Sequence, residues 1–175
     1  MVAIRHERIA DIAAREALLD EAFGDTRRRK TSERLREGRR PADGLSFVAT
    51  DGRALVGTVR LWPIELGSER PALLLGPLAV ADTHRGCGIG GALMRRALRM
   101  ARLRGYGAVL LVGDAPYYER FGFSADKTGD LRLPGPYEPH RLLGCELTPG
   151  ALDGAHGLVR GTGAAVTVDP LAHAA

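Results

Sequence analysis

The chain has 175 residues, of which 45% are hydrophobic and 26% are charged, and its formal net charge is +4. These values are ordinary for a soluble globular protein of one domain. No apolar run reaches the roughly 18 residues that a membrane helix needs, and the first residues lack the apolar core of a signal peptide. Cys87 and Cys145 are too few and too far apart for a disulfide framework or a zinc site. The sequence therefore predicts a cytoplasmic protein with no membrane partner and no metal.

The first part of the chain, up to residue 43, is predicted to contain a strand, a helix and a basic segment. Residues 2 to 8 have the alternation of a strand, and a helix is predicted from Asp11 to about residue 22. Residues 25 to 43 are markedly basic and have Leu35 as nearly their only apolar residue. Two interpretations stay open for this basic segment: a solvated face, or a mobile flap beside a ligand site that draws in an anionic partner.

A run of antiparallel strands is predicted next. Residues 45 to 50 and 54 to 66 form a hairpin around Asp51-Gly52, which is a strong turn signal between apolar runs. After a turn at residues 67 to 71, the segment 73 to 80 is apolar enough for a strand buried on both faces. Gly76-Pro77 interrupts it, and a proline without an N–H predicts a bulge or a splayed edge there.

The segment that follows has the features of an anion-binding loop. Arg85-Gly-Cys-Gly-Ile-Gly-Gly91 precedes an amphipathic helix that runs to about Leu103. Glycines allow close approach of the backbone to a ligand, and a helix start offers free N–H groups and the positive end of its dipole. Phosphate or pyrophosphate is the simplest ligand for such a site.

The same loop also satisfies the dinucleotide pattern G-x-G-x-x-G through Gly86, Gly88 and Gly91. In that fold the first glycine follows its strand almost directly, whereas here residues 81 to 85 intervene. Asp114, the matching acid, lies about 28 residues beyond Gly86 instead of the expected ~20. Antiparallel strands before the loop also disfavour this interpretation.

Three motifs in order carry a resemblance to a known family. Arg85, Gly88 and Gly90 fit the pattern R/Q-x-x-G-x-G/A, Leu78-Ala-Val80 precedes the loop, and Tyr118-Glu-Arg-Phe-Gly-Phe123 follows it. In this combination the sequence resembles the GNAT N-acetyltransferase superfamily, and in particular a bacterial branch of predicted N-acetyltransferases. The resemblance covers residues 2 to about 147.

The resemblance implies a site for acetyl-CoA as cosubstrate. Family members pair the pantetheine arm with the backbone of the strand before the loop and bind the pyrophosphate in the loop. Tyr118 matches the family tyrosine that meets the departing sulfur, so it is the implied catalytic residue. The implied cofactor-binding residues are Leu78, Ala79, Val80, Arg85, Gly86, Cys87, Gly88, Ile89, Gly90 and Gly91.

A general base is not identified by the sequence. The strand from residue 73 to 80 carries no carboxylate, although some family members use one there. Glu65, Asp82 and His84 are candidates only because they are near in sequence, and a water relay or a backbone carbonyl is an equal alternative.

The fold expected from the resemblance is α/β (α+β), with a mixed and mostly antiparallel central sheet, flanking helices and a splayed parallel strand pair at the CoA site. Residues 1 to 147 form the acetyltransferase domain and residues 148 to 175 a C-terminal arm that is extended or partly disordered.

The expected activity is acetyl transfer to a primary amine, on a small molecule or a peptide, in a ternary complex. A homodimer is left open. The alternatives are a non-catalytic acyl-CoA sensor and a nucleic-acid-binding module using residues 27 to 40, which is disfavoured because that segment lacks aromatic residues.

Overall fold

A central β-sheet organises the protein in the computed structural model, which describes residues 1–67 and 69–167. The strands of this sheet stand in the order β1-β2-β3-β4-β6-β8. Two short strands also pair with β3: β5 lies on the same edge as β4, and β10 lies on the opposite edge, beyond the end of β2. They are β1 (Val2–His6), β2 (Ser46–Asp51), β3 (Ala54–Leu66), β4 (Arg70–Leu75), β5 (Ala79–Val80), β6 (Ala108–Val112), β8 (Leu142–Glu146) and β10 (Arg160–Gly161). A separate small parallel pair consists of β7 (Leu131–Arg132) and β9 (Gly157–Leu158).

Strand direction follows from the length of each connection. The links from β2 to β3 and from β3 to β4 are short turns, which can join only antiparallel neighbours. The link from β4 to β6 contains a helix, and these two strands are parallel through Leu73↔Val109 and Leu74↔Leu110. A mixed, mostly antiparallel sheet with one parallel pair at its centre confirms the predicted fold class.

In the part of the chain that the structure describes, three α-helices flank the sheet: α1 (Ile12–Phe23), α2 (Ile89–Leu103) and the short α3 (Ala115–Tyr118). Helix α2 buries an apolar stripe, made of Ile89, Leu93, Met94, Ala97 and Ala101, against the main core. Helix α1 buries Leu18 and Leu19, whereas Ile12 at its start is 44% exposed. Across the described residues, no helix combines the length and apolar character needed to cross a bilayer.

The strand predicted over residues 73 to 80 is divided by a bulge. Leu75 lies opposite Leu61 on β3, and Ala79 lies opposite Thr58, so three residues face two between these pairs. The extra residue falls at Gly76-Pro77, as the sequence indicates, and the Nε1 of Trp62 donates to the carbonyl oxygen of Gly76 at 2.6 Å. Because β5 keeps its pairing with β3 only, it separates from β6 and leaves a wedge between the two strands.

Residues 148–167 are part of the folded domain, which corrects the prediction of an extended or partly disordered arm from residue 148. Leu152, Ala155 and Val159 are buried in an apolar cluster against β3, β4 and β6. β10 pairs with Glu65 and Ile64 of β3. The glycines and the weak hydrophobic periodicity of this segment do not predict the packing, because it depends on contacts with strands that are distant in sequence. Residues 168–175 of the predicted arm lie outside the described residues.

Candidate active site

The glycine loop predicted to bind an anion is exposed and has unpaired amides. Gly86 and Gly88 adopt φ angles of +78° and +76°, which side-chain-bearing residues rarely adopt. The first α-helical hydrogen bond of α2 is from Ala92 N to the carbonyl of Gly88. Five amides before Ala92 have no backbone acceptor within the described residues. These amides belong to Gly86, Gly88, Ile89, Gly90 and Gly91. Unpaired N–H groups at the positive end of a 15-residue helix form a site suited to a phosphate group.

The side chains of this loop face solvent and have partners of their own. Arg85 forms an exposed ion pair with Asp82 at 2.8 Å. Cys87 is exposed, with its Sγ 3.8 Å from the carbonyl oxygen of Arg85. The guanidinium of Arg95 lies over the first turn of α2, since a Cβ built on Gly91 would be 3.2 Å from its Nη1. The loop thus combines backbone donors with at least one nearby cation.

The edge of β5 extends this site toward the middle of the sheet. Ala81 N donates to the carbonyl of Val56, so Ala81 and, two residues earlier, Ala79 direct their peptide groups toward β3. Residues alternate in an antiparallel ladder, and the peptide groups of Leu78 and Val80 therefore point away from β3, into the wedge. A Cβ on Gly90 would lie 3.7 Å from the Cγ2 of Val80 and 2.8 Å from the Oη of Tyr117, so α2 begins directly beside this edge.

A cavity of about 490 Å³ opens at the inner end of the wedge. Its floor is formed by residues 75–78 around the bulge and residues 111–114 at the end of β6, with Tyr118 at one side. The remaining wall comes from the basic segment and from the chain before β8, through Phe23, Arg27, Lys30, Thr31, Ser32, Glu33, Arg36, Leu133, Pro136, Tyr137, Glu138 and Arg141. A cavity of this size suits a small molecule or the end of a larger one.

Tyr118 stands between the wedge and the cavity. Its ring packs against Gly113, where a Cβ would approach its Cε2 to 2.4 Å, and meets the rings of Tyr117 and Phe123 edge-on. Burial raises the pKa of its hydroxyl to about 12, and the nearby Tyr117 and Asp114 add to this shift while Arg141 opposes it. The hydroxyl therefore stays protonated throughout the physiological range and can act as a hydrogen-bond donor.

The basic segment, residues 25–43, contributes to the cavity wall, while Arg28, Arg29, Lys30, Arg34 and Arg40 remain exposed to solvent. It contains 3-10 turns at Asp25–Arg29 and Thr31–Leu35, and Leu35 is 2% exposed. Arg27 is paired with Glu16 at 2.5 Å and with Asp20 at 2.7 Å. The segment thus lies beside the candidate ligand site, and this position agrees with that part of the flap interpretation.

The base candidates chosen by nearness in sequence do not reach the cavity. Glu65 lies opposite Arg160 of β10 in the β-ladder, near the far end of β3. Asp82 forms an ion pair with Arg85, and the Nε2 of His84 lies 3.3 Å from a carboxylate oxygen of Asp51. The carboxylates that do line the cavity were missed by the sequence reasoning; they are Glu33, Asp114 and Glu138. Among the described residues, no group of three or more His, Cys, Asp or Glu residues is arranged to hold a metal ion.

Comparison with known protein families is consistent with this geometry. The family model described as acetyltransferase (GNAT) domain matches residues 42–125, which include the glycine loop, β5 and Tyr118. A curated relative, the uncharacterized N-acetyltransferase YhbS of Escherichia coli (strain K12), is 34% identical over 161 residues, covering 89% of this chain and 93% of the relative.

Two solved structures with a similar fold contain bound CoA or acetyl-CoA. The crystal structure of YhbS from Escherichia coli in complex with CoA has a TM-score of 0.76 and 32% identity, and the match covers 92% of this chain and 89% of that one. A GNAT family acetyltransferase from Brucella melitensis in complex with acetyl-CoA has a TM-score of 0.56 and 29% identity, over 82% of this chain and 94% of that one.

Proposed function

Because this chain belongs to the GNAT acetyltransferase family, we propose that it transfers an acetyl group from acetyl-CoA to a primary amine by direct attack in a ternary complex. The observation that carries this proposal is the set of unpaired amides at Gly86 and at residues 88–91, which leads along the free edge of β5 into the cavity. A phosphate site, an extended edge and a pocket in this order correspond to the pyrophosphate, the pantetheine arm and the reacting end of acetyl-CoA.

The proposed cofactor site uses mainly backbone groups. The pyrophosphate is bound by the N–H groups of the loop and the first turn of α2, from Arg85 to Gly91, where Cys87 serves as a spacer. The amide-bearing pantetheine arm pairs with the outward peptide groups of Leu78 and Val80, as an additional strand beside Ala79. Both CoA and acetyl-CoA are bound by the structural relatives named above.

The acetyl group is then positioned at the bulge. In the reaction, the amine nitrogen attacks the thioester carbonyl carbon, the C–S bond breaks, the CoA thiolate leaves and the amine loses a proton. We assign the N–H of Leu78, directed into the wedge after Pro77, to the developing oxyanion. Tyr118 donates a hydrogen bond to the thiolate, and its raised pKa keeps that proton on the phenol.

The acceptor amine enters from the cavity. Glu33, Asp114 and Glu138 on its wall attract the ammonium form in which a primary amine arrives. Glu33 is the most enclosed of these, with its side chain 27% exposed, compared with 78% for Asp114 and 64% for Glu138. Glu33 is therefore our candidate for the group that receives the amine proton, directly or through water.

The proposed CoA site is tested with two glycines of matched geometry. Gly88, before α2, and Gly105, after it, have φ angles of +76° and +83°, and a Cβ at either position would have no atom within 4 Å. Gly88→Val and Gly105→Val therefore carry a similar backbone strain, of about 1–3 kcal/mol. Wild type and Gly105→Val are expected to be stabilised by CoA, by about 2.7 kcal/mol at a hundredfold excess over Kd, whereas Gly88→Val is not.

Thermal unfolding with and without CoA measures this difference. Equal stabilisation of both variants would reject the loop as the CoA site. Thiol release from acetyl-CoA in the presence of a panel of amines then separates the enzyme from a non-catalytic acyl-CoA sensor, because a sensor is stabilised by acetyl-CoA but releases no thiol.

A further inference from the structure

The guanidinium of Arg36 is buried in the cavity wall and is only partly used. The residue is 8% exposed, its Nη2 donates to Ser32 Oγ at 2.9 Å, and its Nε donates to the carbonyl of Ser32 at 3.2 Å. The nearest carboxylate, Glu33, lies 3.6 Å from Nε. Nη1 is buried and has no hydrogen-bond partner among the described residues.

The unpaired Nη1 is directed toward the reacting end of the proposed site. A Cβ built on Gly76 would be 3.7 Å from it, so Nη1 lies beside the bulge that starts β5. Arginine stays charged in proteins, and a buried N–H without a partner is unfavourable. The cavity therefore contains a charged donor that is satisfied only when a ligand supplies an acceptor.

Three further cations line the same cavity: Lys30, Arg141, and Arg27, which is paired with Glu16 and Asp20. Lys30 has no carboxylate within 4.0 Å among the described residues, and its ammonium lies 4.6 Å from the ring of Phe23. Burial lowers the pKa of Lys30, and the charges of Arg141 and Arg36 lower it further, so these cations are close enough to repel one another. Arg141 is balanced by Asp114 at 3.4 Å and Glu138 at 3.8 Å, whereas Lys30 and Arg36 are not fully balanced.

We infer that the acceptor is a primary amine that also carries a carboxylate, and that Arg36 binds this carboxylate through Nη1 with Lys30 beside it. This inference rests on the proposed function, because it gives the amine of that reaction a second charged group. A planar carboxylate matches the fork of a guanidinium, and its single charge suits a cavity that also contains Glu33. A doubly charged phosphate would be repelled by the acids on the same wall.

The mixed charge of the wall fits such a zwitterion. The lining combines the carboxylates Glu33, Asp114 and Glu138 with the cations Arg36 and Lys30, so each charged group of a zwitterion meets opposite charge on the same wall. The volume of about 490 Å³ accommodates a free amino acid. Arg36 is therefore a specificity-determining residue for the acceptor, acting on the substrate without touching the acetyl group.

The experiment compares paired amines that differ only in the carboxylate. Free L-amino acids, β-alanine and γ-aminobutyrate are each tested with the corresponding carboxamide, by thiol release from acetyl-CoA and by thermal unfolding in saturating CoA. The wild type is expected to prefer at least one acid over its amide by about tenfold or more in kcat/KM. Arg36→Gln is expected to remove this preference by raising the KM for the acid, with little change for the amide or for acetyl-CoA.

A matched control comes from the same segment. Arg34 is exposed and donates to the carbonyl of Pro134 at 2.6 Å, outside the cavity wall, so Arg34→Gln should keep the wild-type preference. Arg36→Lys keeps the charge but not the fork and should retain part of it. If the wild type binds and uses acids no better than amides, the inference is rejected even if Arg36→Gln does not fold. Absence of stabilisation by CoA would reject the proposed function instead, since that measurement involves no acceptor.

Discussion

At the scale of single residues, the buried surroundings of Tyr118 determine what its hydroxyl can do in the proposed reaction. Its hydroxyl lies where the thiolate of CoA is proposed to leave, yet burial raises its pKa to about 12. Proton transfer from such a phenol to a thiolate of pKa near 8.5 is uphill by several units. The residue is therefore suited to hydrogen-bond the thiolate, while the proton on the released sulfur comes from elsewhere.

Replacing Tyr118 by Phe removes this donor and keeps the ring that packs on Gly113 and Phe123. A hydrogen bond to a charged group contributes about 1.5–3 kcal/mol, so kcat should fall about ten- to a hundredfold. The KM for acetyl-CoA should change little, because the loop amides bind the pyrophosphate. Steady-state kinetics measure both quantities, and Tyr106→Phe, away from the cavity, is the control for loss of a tyrosine hydroxyl.

The pH dependence of this variant follows from the direction of the shift. Because the folded pKa lies above the ordinary value of 10.0, the neutral phenol favours the folded state, and this contribution is complete below pH 10. It is lost as the pH rises from 10 to about 12, so the wild type should lose stability there more steeply than Tyr118→Phe. A loss of activity in proportion to a loss of folding stability at neutral pH would instead assign Tyr118 to packing.

Residue types and spacing predict part of the proposed site but not the charged groups of its cavity. The positions of Gly88 and Gly90 and of Tyr118 could be predicted, because a backbone cradle and a short motif are local features. Arg36 could not be distinguished from the seven other basic residues in its segment, since its burial depends on the distant bulge at Gly76. The same reason explains why Glu65, Asp82 and His84, although near the loop or the central strand in sequence, do not line the cavity.

At the scale of elements, α2 and its loop act as one electrostatic unit. The positive end of the helix dipole, the free amides and the guanidinium of Arg95 all lie at the first turn. The opposite turn carries Arg102, seven residues later and therefore about 10.5 Å farther along the axis. That distance exceeds the Debye length of about 8 Å at physiological ionic strength, so of these two arginines Arg95 should have much the larger influence on an anion at the loop.

Arg95→Gln and Arg102→Gln test this unit on one helix face. Loss of the charge at the first turn should weaken CoA binding about two- to fivefold at 0.15 M salt, which corresponds to an exposed contribution of about 0.5–1 kcal/mol. The difference between the variants should disappear in 1 M salt, where the Debye length is about 3 Å. Titration calorimetry with CoA measures it, and an equal effect of both substitutions would show that the cradle attracts anions by net charge alone.

The elements themselves differ in how far the sequence determines them. The hairpin of β2 and β3 and the buried stripe of α2 follow from turn chemistry and hydrophobic period, both of which are local. The strand over residues 73 to 80 was correctly expected to contain an irregularity at Gly76-Pro77. Its division into β4 and β5 depends on β3 as partner for both parts, and that pairing is a long-range property.

At the scale of the whole molecule, the cavity is assembled from distant parts of the chain. Thr31 donates to the carbonyl of Pro136, which connects the basic segment to the chain before β8. Residues near the C-terminus hold the basic segment from its other side, through Arg40 N to the carbonyl of Ala164 at 2.7 Å and Val166 N to that of Gly38 at 2.9 Å. The segment after residue 147 thus supports the acceptor wall.

Leu152 and Leu158 form a matched pair for testing whether this C-terminal segment belongs to the cooperative fold. Leu152 is 2% exposed and packs on Gly144 of β8, where a Cβ would meet its Cδ1 at 2.6 Å, whereas Leu158 is 36% exposed. Leu152→Ala should lower the free energy of unfolding by about 2–5 kcal/mol, because it leaves a cavity in the core. Leu158→Ala should stay within about 0.5 kcal/mol of wild type. Urea denaturation measures both, with one transition and an unchanged slope expected for each variant. A loss at Leu152 as small as that at Leu158 would mean that the segment packs on the domain without contributing to its stability.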